Sequence, residues 1–455
     1  TPGHRDFSED TYRVLTAVDS ALMVIDAANG VEAQTKRLIE VCRQRDTPIM
    51  TFVNKMDREG RDPIELLDEI EAELGMPCVP MTWPVGQGKA FGGIINLRTQ
   101  TMRVFQPGED TVEASAAEEI PLSDTATLKA RFGADFDHAM ANIELLSGVS
   151  PAFDREAFLA ARQTPVFFGS AVNNFGVQEV LDALVDLAPP PHPRASSNAD
   201  GSLTEIAPDS EGFSGVVFKV QANMDPQHRD RIAFVRVCSG KYASGMKLKV
   251  VRSGKEMRPT SVVTFLSQRR EAVDEAYAGD IIGFTIHGGV QLGDTITDGA
   301  SLQFTGLPFF APELFQTVEL KNPLKSKQLQ QGLAQLGEEG AIQVFKPQLG
   351  SLMLLGAVGQ LQFEVVQHRL STEYKAEIAL KGSQFVGARW VTCDDPAEMK
   401  KFMDYNAAKL AYDAADTLAY LLTSNYDLRL TQERHPKIQF HPLREHAGLK
   451  LEQAA

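Results

Sequence analysis

The sequence predicts an α/β domain carrying a long insertion, followed by an antiparallel β-barrel and then an α+β domain. Three observations carry this reading. Short apolar runs alternate with amphipathic helical segments up to Gly75 and again from Val166 to Val185, glycine-punctuated β signals fill Phe213 to Asp298, and helices mix with strands beyond Phe315. At roughly 150 residues per domain, the 455 residues accommodate such a three-part layout.

The first elements set the pattern. Ala21 to Ile25 is a continuous apolar run ending at Asp26, and Pro48 to Val53 is another ending at Asn54, both expected to be parallel strands buried on two faces. Between them Glu32 to Arg43 places Leu38, Ile39 and Cys42 at helical spacing, completing one βαβ step. Asp62-Pro63-Ile64-Glu65 then opens a helix, with Asp as N-cap, Pro in the first turn and Glu closing a capping box. From about 76 to 164 the rhythm breaks into Pro- and Gly-rich pieces, a hairpin over Ile94 to Val104, an acidic linker over Glu109 to Asp124 and helical stretches near Leu128 and Phe153. It resumes with the strand Val166 to Ser170 and the helical face Val177, Val180, Leu181, Leu184 and Val185. The expected domains are therefore 1–192 with the insertion inside it, a barrel over 205–304 and an α+β domain over 305–455. No internal repeat is legible.

Composition excludes several classes of function. Hydrophobic residues at 43% and charged residues at 23% describe a folded globular chain. No apolar run approaches the 18 or so residues that span a bilayer, so no membrane role is expected. Cys42, Cys78, Cys238 and Cys393 lie far apart, which argues against a disulfide framework or a zinc ribbon and for the cytosol. The 45 basic against 60 acidic residues, net −15, disfavour unspecific nucleic-acid binding but leave room for a local contact surface on a large ribonucleoprotein. The chain opens without Met on Thr1-Pro2-Gly3-His4, and we expect it to be the remainder of something longer.

The strongest chemical signal is Asn54-Lys55-Met56-Asp57 directly after an apolar strand. A carboxylate at Asp57 can accept from the adjacent N1–H and 2-amino donors of guanine, and adenine offers neither. Asn54 would tie the loop together and approach N7, and the Lys55 stem would cover the base face. Gly169-Ser170-Ala171 ends the next strand, where small residues let backbone N–H groups approach guanine O6. Gly3 could present its N–H to a terminal phosphate and His4 could orient an attacking water, although these four residues alone favour an ordinary terminus. Gly86-Gln87-Gly88-Lys89-Ala90 imitates a P-loop, yet Trp83 stands where its first Gly is required and Ala90 where the magnesium-binding hydroxyl belongs. Asp225, His228 and Asp230 read as solvated charge in a loop, not as a metal site.

Together these motifs resemble the translational GTPases. Thr1-Pro2-Gly3-His4-Arg5-Asp6-Phe7 is similar to their second switch motif, starting one residue after its Asp, and Asn54–Asp57 and Gly169–Ala171 match their guanine-recognition motifs in order. Pro84-Val85-Gly86 with Phe91 to Leu97 resembles the extra subdomain of elongation factor G and its relatives, and Gly356 to Val365 resembles a third-domain segment in its termination-branch form, Gln360-Leu361-Gln362-Phe363-Glu364-Val365. The resemblance implies an incomplete P-loop-type GTPase domain, with P-loop, first switch and magnesium-associated Asp missing. It implies His4 as the catalytic residue, Thr1, Pro2 and Gly3 at the GTP phosphates, Asn54, Lys55, Asp57, Ser170 and Ala171 at guanine, and GTP/GDP with Mg2+ as cofactors, with no metal ligand in this stretch of chain. It further implies a cytoplasmic, monomeric, ribosome-dependent GTP hydrolase of translation termination, contacting rRNA and ribosomal proteins and promoting dissociation of class I release factors. Two alternatives stay open here: an elongation-factor-G-like or ribosome-protection GTPase, and a non-hydrolysing ribosome-binding remnant.

Overall fold

A computed structural model describes residues 8–105, 118–198, 200–222, 231–259, 261–266, 269–286, 289–350 and 353–445. The chain divides into two compact units, Val18–Pro190 and a larger one made of the N-terminal stretch through Ala17 with everything from Pro191 onward.

In the smaller unit the apolar runs become β1 (Ala21–Asp26) and β2 (Ile49–Asn54), joined by α2 (Ala33–Gln44). They pair in parallel, with Asp26 opposite Asn54 at their C-terminal ends. Next comes α3 (Pro63–Leu74), where Asp62 Oδ1 accepts from the N–H groups of Ile64 and Glu65 at 2.8 and 3.4 Å, and a left-handed Gly75 terminates the helix. Then β3 (Cys78–Pro80) joins the main sheet, while β4 (Thr82–Val85), β5 (Gly93–Asn96), β6 (Thr101–Val104) and β7 (Glu119–Pro121) form a separate antiparallel sheet. The predicted hairpin is β5–β6, and most of the acidic linker lies outside the described residues. Helices α4 (Thr125–Val149), interrupted by a non-helical Gly133, and α5 (Arg155–Leu159) lead to β8 (Thr164–Phe168) and α6 (Val177–Leu187).

The main sheet has the order β1-β2-β8-β3, all parallel. Met50, Phe52, Phe158, Phe167, Val180 and Ala183 form a core on it. β2 is buried on both faces as expected, whereas β1 is not: it lies at the edge of the order, and Leu22 and Val24 are 41% and 53% exposed. Leu22 and Val24 alternate with the buried Met23 and Ile25, so they share one face of β1, and that face is exposed among the described residues. The P-loop imitation folds as a short 3-10 turn over Gly88–Ala90.

The larger unit opens with α1 (Ser8–Thr16). This helix falls within the expected first domain, 1–192; in the structure Val14 and Ala17 pack with Phe218, Leu292 and Leu307. The barrel region is an antiparallel sheet of eight strands between Ser214 and Thr297 sharing one core, which includes Val217, Val235, Val250, Ile282 and Phe284.

Beyond Leu314 the architecture shows what the sequence conceals. Strand Leu314–Leu320, α7 (Ser326–Glu338), strands Gln343–Pro347 and Leu354–Ala357, α8 (Gln360–Thr372) and strand Ile378–Gly382 make a β-α-β-β-α-β unit. Strand Gly387–Thr392, α9 (Pro396–Asn406), strands Leu410–Tyr412 and Leu418–Leu422, α10 (Asn425–Arg434) and strand Gln439–His441 repeat it. Each half orders its strands fourth-first-third-second, and their second strands meet at Lys346↔Tyr412 and Pro347↔Ala411, giving one eight-stranded sheet. The repeat is one of topology, carried by hydrophobic spacing and not by recurring residues, which is why no sequence repeat is visible.

Cys42, Cys78 and Cys238 are buried and Cys393 is half-buried. Burial pushes Cys42 up to about 11, which leaves it unreactive. Among the described residues no helix is long and apolar enough to cross a membrane, and no group of three His, Cys, Asp or Glu could hold a metal ion.

Candidate functional site

The parallel order β1-β2-β8 brings the C-terminal ends of three strands side by side, the edge at which open α/β sheets bind ligands. The predicted residues sit there. Asn54 ends β2, and its Oδ1 accepts from the backbone N–H of Lys55 and of Ala171, each at 2.8 Å. One side chain thus ties the loop after β2 to the loop after β8. Two backbone bonds reinforce the tie: Met56 N–H to Gly169 O at 3.1 Å and Gly169 N–H to Val53 O at 3.0 Å.

Ser170 is fully buried, and its Oγ donates to Asp57 Oδ1 at 2.5 Å. Oδ2 of Asp57 bonds no other described residue and so remains open to a ligand donor. Gly169 is required by space: a Cβ there would lie 2.4 Å from Phe175 O and 3.0 Å from the Phe52 ring. The sequence reading expects backbone N–H groups here to approach guanine O6. In the structure the Ser170 N–H donates to Phe175 O and the Ala171 N–H to Asn54 Oδ1, so contact with O6 would require Ala171 to share its hydrogen.

Lys55 adopts φ +69°, and its Nζ meets Asp26 Oδ2 at 2.6 Å. That bond holds the Asp26 carboxyl below its ordinary range. Asp26 went unread in the sequence, although a carboxylate ending the neighbouring apolar strand in register with Asn54 was a usable signal. Two further residues were missed. The Gly88 N–H donates to Met56 O at 2.9 Å, so the segment that imitates a P-loop braces the Asn54–Asp57 loop instead. Asn173 Nδ2 donates to Ser170 Oγ at 2.7 Å. Thr1, Pro2, Gly3 and His4, and likewise Asp225, His228 and Asp230, lie outside the described residues.

Family models agree with this layout in chain order. Residues 1–190 match the elongation factor Tu GTP binding domain, 212–299 match elongation factor G domain 2, and 304–432 match the class II release factor RF3, C-terminal domain. The last match sets aside the reading as an elongation-factor-G-like or ribosome-protection factor. Peptide chain release factor 3 of Bordetella pertussis (strain Tohama I) is 63% identical over 449 residues, spanning 98% of this chain and 83% of the relative. The protein of the same name from Nitrosomonas eutropha is 61% identical over 456 residues, spanning all of this chain and 84% of the relative. A crystal structure from Thermus thermophilus superposes with a TM-score of 0.64 at 22% identity, covering 87% of this chain and 60% of that one, a likeness of fold. Motif order, three consecutive domain matches and identity above 60% along nearly the whole length lead to one conclusion: the chain belongs to the peptide chain release factor 3 family of translational GTPases.

Proposed function

We propose that this protein is a ribosome-activated GTP hydrolase of translation termination that promotes departure of class I release factors after peptide release. The observation that carries the reading is the joined loop pair in which Asn54 binds Ala171 and Ser170 binds Asp57. A carboxylate aimed by a buried hydroxyl on Oδ1 keeps Oδ2 and a second lone pair of Oδ1 for ligand donors, and guanine supplies two adjacent ones. Charge-assisted hydrogen bonds are worth about 1.5–3 kcal/mol each, so a base lacking both donors, and leaving the carboxylate without them, is rejected by several powers of ten. Asn54 maintains the loop pair and the Lys55 stem covers the base.

By family resemblance, His4 orients the attacking water, and Gly3 with Thr1 and Pro2 follows the terminal phosphate. Bound with GTP, Mg2+ would supply positive charge at the phosphates, and no described residue of this chain is assigned to hold it. The partners are the ribosome and a class I release factor, met in the cytoplasm by a monomer.

The test uses the full-length protein. Asp57→Asn should weaken GTP binding by at least about 100-fold and shift preference towards the xanthosine nucleotide, whose 2-oxo group matches the amide donor. Unchanged preference, measured by competition binding, overturns the guanine assignment. On post-termination ribosomes the wild type should speed release-factor turnover with GTP and leave translocation alone. GTP-independent turnover would instead favour a non-hydrolysing remnant.

A further inference from the structure

The loop after β8 contains a polar relay that ends on Asp57. Ala171–Asn173 forms a single 3-10 turn, Asn174 adopts φ +50°, and Ser170 and Phe175 close the loop as a pair. This turn brings Asn173 back onto Ser170 twice, through its backbone N–H to Ser170 O at 3.2 Å and through its Nδ2 to Ser170 Oγ at 2.7 Å. Ser170 Oγ is in turn 2.5 Å from Asp57 Oδ1.

The chemistry of these groups fixes the direction of the relay. An ionised carboxylate only accepts, so the hydroxyl must spend its one hydrogen on Asp57. Its oxygen can then only accept from Asn173, which puts the amide nitrogen, not the amide oxygen, against Ser170. With the serine buried and its hydrogen aimed, Asp57 is held through one lone pair of Oδ1, and Oδ2 with the other lone pair of Oδ1 is left for the ligand.

We infer that Asn173 is a positioning residue for guanine recognition, acting through the Ser170 hydroxyl to set the orientation in which the Asp57 carboxylate faces the base. The inference rests on the guanine reading of Asp57 given above.

Substitution of Asn173 separates the possibilities, because an amide, a methyl and a carboxylate ask different things of one hydroxyl. Asn173→Ala removes a donor but leaves the hydroxyl free to donate to Asp57, so GDP affinity in the full-length protein should fall less than about threefold. Asn173→Asp places a competing acceptor 2.7 Å from Ser170 Oγ and draws the hydrogen away from Asp57. GDP affinity should then fall about tenfold below the alanine variant, with KM for GTP raised and kcat at saturation unchanged. In a Ser170→Ala background the two variants should bind GDP alike, since the relay has no middle member. Thermal unfolding of both variants controls for folding.

Equal affinity of Asn173→Asp and Asn173→Ala overturns the inference. So does a difference between them that survives in Ser170→Ala. The guanine reading is tested separately in the same assay by Asp57→Asn: if that variant shifts towards xanthosine nucleotide while the Asn173 pair stays equal, the relay alone is wrong, and if it does not shift, the underlying reading fails.

Discussion

Asp26 and Lys55 show how one surface pair can matter more for placement than for stability. Lys55 is 45% exposed at the side chain and Asp26 20%, a setting in which an ion pair contributes under about 1 kcal/mol. Asp26→Asn should therefore lower stability in urea by less than about 1 kcal/mol while raising the dissociation constant for GTP severalfold, because the Lys55 stem is no longer drawn across to β1. The pH sign follows from the depressed carboxyl. The pair contributes fully above the ordinary Asp value of 3.8, and that contribution is lost as the pH falls through the lower folded value. Acid unfolding curves of wild type and Asp26→Asn should accordingly converge at the acid end; curves that diverge there contradict the pairing.

Between elements, the inserted sheet is tied to the main one by a buried charge. Arg103 of β6 meets Glu179 of α6 at 2.9 Å and Glu119 of β7 at 3.0 Å, and Glu179 is only 8% exposed at the side chain. Burial pushes the Glu179 carboxyl up, with the Arg103 charge only partly offsetting it. Its protonated form is thus favoured by folding, so the stabilising contribution is present below the ordinary value of 4.5 and declines as the pH rises through the raised one. Glu179→Gln should match the wild type in stability near the acid end of that window and exceed it at neutral pH, with Arg103 keeping Glu119. A variant less stable than wild type at neutral pH in chemical denaturation would show that the ion pair outweighs desolvation. The loop after β8 depends on element geometry: Gly169 fits only because no side chain intrudes between Phe175 O and Phe52.

At the scale of the whole molecule, α1 matters for where it packs. Arg13 and Glu9 form an ion pair with side chains 3% and 5% exposed, Arg13 Nη1 reaches Gly340 O at 3.5 Å, and the guanidinium lies 5.4 Å from the Phe309 ring centre. Gly340, at φ +73°, has no room for a side chain beside Arg13. Removing one partner of a buried pair costs about 3–5 kcal/mol, so Arg13→Ala should destabilise the larger unit by that order. Arg13→Ala with Glu9→Ala should recover part of the loss, read by calorimetry. Much else at this scale was legible in sequence, because local physics dictates it. The apolar runs marked β1, β2 and β8, Asp62 and Pro63 marked the start of α3, and Asn54, Asp57, Ser170 and Ala171 were identifiable from residue type and strand order. The bonds that join those residues were not legible, since Asn54 and Ala171 are 117 positions apart and meet only when the sheet aligns their strands. By itself, the sequence determined the element types and which side-chain groups stand at the C-terminal ends of β2 and β8, because spacing and residue type fix these locally. Only the tertiary structure decided the rest: that Leu22 and Val24 stay exposed, that α1 packs in the larger unit, that two β-α-β-β-α-β halves share a sheet, and that Asn173 turns back on Ser170. These depend on which surfaces meet, and such contacts form between residues whose separation along the chain carries no trace of them.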